Sequence, residues 1–143
     1  MGSLFTPLNT IEETKPTTSI VGFLNIIEGW KTRIKNLHWS APKMNTHKVL
    51  DEIADFVSSY QDSLAEDYMG IEGKLQPNIL KGKECDVLNA KDLMNCMKDC
   101  TLNFYNSLPS DTIYVGIKSE TETFIHNINK YIYLVNLCDV SVY

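Results

Sequence analysis

No apolar run in this chain of 143 residues reaches the length of about 18–20 residues that a membrane-spanning helix needs. No basic stretch followed by an apolar one opens it, so neither a bilayer anchor nor a signal peptide is expected, and the expected location is cytoplasmic. Clustered positive charge is also missing. The formal net charge is -5, and Lys15 is the single positive residue among the first eighteen. Contact with a phosphate backbone needs Lys and Arg in clusters, so direct DNA binding is not expected. The four cysteines, Cys85, Cys96, Cys100 and Cys138, lack the CxxC spacing of zinc modules. Cys96 and Cys100 stand four apart on one helix face, where small buried hydrophobes are the plainer reading and a metal-binding pair the sharper one. No Glu lies three residues before any of the three histidines, so the Glu-x-x-His motif of carboxylate bundles is absent.

What remains is the composition of one domain with a real core: 43% hydrophobic residues and a mean hydropathy of -0.17. Residues 1–18, through Pro16 and the Thr-rich step after it, read as a mobile N-terminal segment, and residues 19–143 as the folded part. Thr18 or Ser19 caps a first helix that carries Ile20, Phe23, Leu24, Ile27, Ile34 and Leu37 at helical spacing. Gly29 inside it marks close packing. Pro42 stops this helix, and Asn45 or Thr46 caps a second that runs to about Glu72, before Gly73. Gly73 to Leu88 is loop-like. Asn89 to Asp92 reads as a capping-box-like start for a third helix, which ends at Pro109. Ser110 caps a fourth that runs to about Asp139, with a later start at Ser119 as the alternative. Short links within the two helix pairs and a long crossover between them give an all-α, ferritin-like four-helix bundle.

Five polar residues stand out: His38, His47, Asp51, Asp62 and Glu66. With about 100° per residue and His47 as zero, Asp51 falls at about 40°, Asp62 at about 60° and Glu66 at about 100°. Those four share one face of the second helix. Val49, Ile53, Phe56, Val57, Tyr60, Leu64 and Ile71 lie roughly opposite and turn toward the core. At about 1.5 Å per residue, Asp51 and Asp62 are roughly 16 Å apart, too far for one metal ion. The pairs meet only if a second copy of the helix runs antiparallel, with a two-fold axis between Phe56 and Val57. His47 and Asp51 of one chain then face Asp62 and Glu66 of the other. Ala54, Ser58 and Ala65 are small enough to let two helices approach. The plain alternative is a charged, solvated helix face.

The run Asn36-Leu37-His38-Trp39, then His47 with Asp51, then Asp62-Ser63-Leu64-Ala65-Glu66, resembles the ferroxidase signature of the Dps-type mini-ferritins. The steps from His47 to Asp51, from Asp51 to Asp62 and from Asp62 to Glu66 all match it. The link from His38 to His47 is shorter than usual in that family, and the lysine-rich tail of many members is absent. The resemblance implies a short helix in the crossover between helices two and three. It also implies a homo-oligomer built on dimers, a hollow dodecamer, with hydrogen peroxide as preferred oxidant. Iron would be the substrate at a di-iron or mono-iron site made by His38, His47 and Asp51 of one chain and Asp62 and Glu66 of its partner, with zinc as a substitute. Imidazole and carboxylate donors suit these metals, and anionic ligands favour Fe(III) over Fe(II). The expected function is therefore iron oxidation and sequestration. The alternative is a shell-forming protein of the same fold with a structural metal or no active site. Trp39 is read either as a radical quencher beside His38 or as an aromatic that packs the helix end.

Overall fold

The computed structural model describes residues 16–139, with side chains from Ile20 onward. It contains α1 (Pro16–Trp39), α2 (Met44–Glu72), α3 (Ala90–Ser107) and α4 (Val115–Cys138), with a 3-10 turn, Thr112–Tyr114, leading into α4. No strand occurs among the described residues, and no helix is long and apolar enough to cross a membrane. Residues 1–15 of the segment expected to be mobile lie outside the described residues. α1 already runs at Pro16 rather than starting at Ser19. Proline suits a first helical turn, because the N–H it lacks would have no partner there.

Capping explains the other boundaries. α2 starts one residue before Asn45, after an extended Lys43 that gives no side-chain cap. It stops at Gly73, whose φ of 99° suits glycine and whose N–H bonds back to the Met69 carbonyl. Asn89 caps α3: its Oδ1 accepts from the Asp92 N–H at 2.8 Å while its Nδ2 donates to the Asp92 carboxylate at 2.9 Å. Neither Ser110 nor Ser119 begins the last helix. Asp111 accepts from the Ile113 N–H and opens the 3-10 turn, and α4 continues from it.

The pairings fix the topology. His38 meets His47 and Leu24 meets Gln61, so α1 and α2 are antiparallel. Tyr131 meets Glu52 and Thr121 meets Tyr60, so α2 and α4 are antiparallel. Phe23, early in α1, stacks on Phe104, late in α3, with ring centroids 4.2 Å apart. α2 and α3 therefore point the same way, and the connection between them must travel the length of the bundle. This is the ferritin-like arrangement.

Residues 73–89 make that journey along the outer side of α1. Asn25 holds the segment at three points: its Nδ2 donates to the Ile79 carbonyl, and its Oδ1 accepts from the Lys81 and Gly82 N–H groups. The Lys83 N–H donates to the Asn25 carbonyl at 2.9 Å. Arg33 grips the Cys85 carbonyl with Nε and Nη2 at 3.0 and 2.6 Å. A Cβ on Gly29 would sit 1.7 Å from the Lys83 carbonyl oxygen, so the strap lies where only glycine allows it. The short crossover helix expected from the family resemblance is not formed: the segment makes a turn at Pro77–Asn78 and is otherwise irregular. Its backbone donors are spent on α1 instead of on a helical turn of its own.

The core is aromatic at mid-height. Phe23 packs edge-on to Trp30 and Tyr60, and Tyr60 stacks on Phe124 with centroids 3.9 Å apart. The Tyr60 hydroxyl is satisfied by Thr121 Oγ1 at 2.7 Å, and burial holds its pKa well above the usual tyrosine range. Each such fully buried side chain contributes about 1.5–3 kcal/mol. The core face of α2 is Leu50, Ile53, Val57, Tyr60, Gln61, Leu64 and Tyr68, while Val49, Phe56 and Ile71 are half-buried at its edge. Gln61 belongs there because it is satisfied: it donates to the Leu24 carbonyl and Glu28 and accepts from Lys31.

Candidate functional site

The tight link of residues 40–43 brings the end of α1 against the start of α2. His38 and His47 lie face to face across it, with ring centroids 3.8 Å apart and planes 24° apart. Each Nδ1 lies within hydrogen-bond distance of the other residue's backbone carbonyl, at 2.9 Å from His38 and 3.0 Å from His47. A carbonyl only accepts, so both rings must carry their proton on Nδ1. In the neutral form of each ring the lone pair then sits on Nε2. Fixing one ring nitrogen with a backbone carbonyl is how ligand histidines are commonly oriented, so the pair fits a metal that prefers imidazole.

Asp51 follows His47 by one helical turn and is exposed, as are Asp62 and Glu66 farther along α2. The stripe that carries them points away from the subunit core. Among the described residues no three His, Cys, Asp or Glu side chains converge closely enough to hold a metal ion. One chain thus brings the two histidines together and leaves Asp51, Asp62 and Glu66 apart from them. Trp39 does not pack the helix end in the single chain, since it is 73% exposed, and Met44 beside it is 67% exposed.

A second acidic group lies where α2 meets α4. The Glu120 carboxyl lies against that of Asp67, with Glu66 nearby. Desolvation first, then the contact with Asp67 and the charges of Asp67 and Glu66, push the Glu120 carboxyl up to about 7. Its Oε1 is buried without a partner. Glu120 also forms part of the wall of an open cavity of about 370 Å³, over Phe56, Tyr60 and Phe124 and beside Ser63 and Thr123. Sequence reasoning did not single out Glu120, because nothing in its local pattern places it opposite Asp67. That register comes from helix packing. The tyrosine–carboxylate contacts Tyr114–Glu72 and Tyr131–Glu52 repeat the theme along the same seam.

Comparison with known proteins adds no relative to this geometry: no family model, no curated protein and no solved structure matches the chain.

Proposed function

We propose that this chain is a shell-forming subunit of a ferritin-like homo-oligomer of the Dps type, in which antiparallel α2 helices of two copies meet. The observation that carries this reading is the surface at the end of the bundle where α1 turns into α2. Trp39, Met44 and Leu88 are 73%, 67% and 79% exposed there, a concentration of large apolar groups that a partner would cover. The closed histidine pair suits a structural role at this end, since its two Nδ1–H bonds lock the turn that presents Trp39 and Met44.

Iron oxidation at the same interface is the second reading, favoured by one feature: the paired histidines bond through Nδ1 and leave Nε2 for a metal, while Asp51, Asp62 and Glu66 are exposed along α2. In that reading His38, His47 and Asp51 bind Fe(II) as substrate, and Asp62 and Glu66 of the second copy complete the donor set. Oxygen and imidazole donors fit iron and disfavour soft metals.

Gel filtration after aerobic addition of Fe(II), with protein and iron measured in every fraction, separates the readings. A large particle that carries no iron is the result expected of the shell. Iron co-eluting with the particle, lost in the double variant Asp62→Ala/Glu66→Ala, establishes the ferroxidase. A species of one chain mass, with no particle, overturns both.

A further inference from the structure

Three of the four cysteines share one cleft. Cys96 and Cys100 stand a turn apart on α3, and Cys85 faces them from the strap, with Trp30 of α1 at the back of a space of about 200 Å³. All three are half-buried free thiols, unlike the buried Cys138. Glu84, Asp86 and Lys83 line the same cleft, two acidic groups against one basic.

The strap is held most firmly beside this cleft. The Arg33 fork fixes the carbonyl of Cys85 itself, and two residues earlier Lys83 lies against Gly29 and bonds to Asn25. Residue 85 is therefore positioned by backbone contacts that do not involve its own side chain, leaving the thiol free to turn. Holding a ligand residue from its outer shell is how metal sites are pre-organised. The thiols also influence one another: burial first, then Cys100 and Cys85, raise the Cys96 pKa. Thiolates crowded together repel, and a cation among them removes that repulsion.

We propose that Cys85, Cys96 and Cys100 form a binding site for a soft, thiophilic metal ion, of which Cu(I) is the physiological type and Cd(II) a convenient probe. Thiolate sulfur selects such ions over iron. The three donors do not surround one point as the side chains stand. Binding requires the Cys85 side chain to turn to a staggered position that aims its sulfur at α3. Each thiol gives its proton to solvent as its sulfur takes up the metal, and no electron is transferred. The site shares no residue with the histidine–carboxylate stripe on α2.

The test is anaerobic titration of the reduced, full-length chain with Cd(II), following thiolate-to-metal charge-transfer absorption and bound metal per chain. One equivalent with the charge-transfer band is expected. Cys85→Ser and Cys96→Ser should each weaken binding by well over about 100-fold, beyond the roughly 10–100-fold cost of losing an outer-shell partner. Cys138→Ser should leave it unchanged. Binding without the band, or binding that survives Cys85→Ser, overturns the proposal. Alkylation with iodoacetamide and peptide mapping gives the same decision on the unaltered chain should a variant fold poorly. Cd(II) should protect residues 85, 96 and 100 together, and equal labelling of Cys85 with and without Cd(II) overturns the site.

Discussion

Gly29 shows how much one missing methyl can decide. A helix interior favours alanine over glycine by about 1 kcal/mol, so propensity alone predicts that Gly29→Ala stabilises the protein. The Lys83 carbonyl oxygen, 1.7 Å from the position of that methyl, reverses the sign. Either the strap lifts, losing the bonds to Asn25 and Arg33, or α1 bends. A net loss of about 1–3 kcal/mol is expected, as for other overpacked sites. Urea unfolding should show it as a lower midpoint, and a midpoint equal to or above wild type would mean that the strap is not seated there. Glu120 makes a second prediction at this scale. Its folded pKa of about 7 lies above the unassisted value of 4.5, so the folded state holds the proton more tightly than the unfolded one. That contribution is complete below pH 4.5 and is lost as the pH rises through about 7. Glu120→Gln keeps the neutral form. It should flatten the fall in stability between pH of about 5 and 8, and exceed wild type by about 1 kcal/mol at the upper end, after discounting for solvent screening. Parallel stability–pH curves for the two proteins would refute the assignment.

At the scale of elements, the strap is tied to α1 by two side chains, Asn25 and Arg33, and Asn25 makes the larger set of bonds. Asn25 supplies a donor to Ile79 and an acceptor to both Lys81 and Gly82. Net values of about 0.5–1.5 kcal/mol per bond put the cost of Asn25→Ala at about 2 kcal/mol. The loss should be local: hydrogen exchange should quicken at the amides of residues 81–83 while those of α3 and α4 stay protected. Uniform loss of protection would mean that the strap is part of the cooperative core. Asn25 also marks how far the sequence could be read. The four helices and the long crossover were legible because Pro42, Gly73, Asn89 and Pro109 are local signals that act within a turn of their own position. The close packing at Gly29 was legible for the same reason. The course of the strap was not, since an asparagine in mid-helix looks like any surface residue until the segment 54 residues later lies on it. The start of α4 was missed because Asp111 outcompeted the neighbouring Ser110 as a cap. Of the candidate site, the outward face of α2 was legible from its periodicity. The reciprocal histidine bonds were not, because they depend on how tightly residues 40–43 turn.

For the whole molecule the open question is whether two α2 helices meet, and symmetry makes it testable without any metal. An antiparallel pair with its axis between Phe56 and Val57 places each residue opposite its own copy at a distance set by its offset from that point. Asp55 is exposed, on the ligand-bearing side of α2, and only one and a half residues from the axis. Helices packed about 8–10 Å apart, with Cα atoms on a radius of about 2.3 Å, bring facing backbones to roughly 3–5 Å. Adding an axial offset of about 4.5 Å leaves the two Cα atoms about 6–7 Å apart, at the upper edge of what a disulfide spans. In a background where Cys85, Cys96 and Cys100 are serine, Asp55→Cys should therefore form a covalent dimer rapidly under mild oxidation. Asn45→Cys, nearly three helical turns farther out, would be separated from its copy by about 35 Å along the axis and should not. Cross-linking at both positions to the same extent would indicate random collision. Cross-linking at residue 45 alone would place the axis at the end of the bundle, separating Asp62 and Glu66 from any second histidine pair. Efficient cross-linking at residue 55 alone would set the two halves of the stripe opposite each other, the one arrangement in which His47 and Asp51 of one chain reach Asp62 and Glu66 of the next.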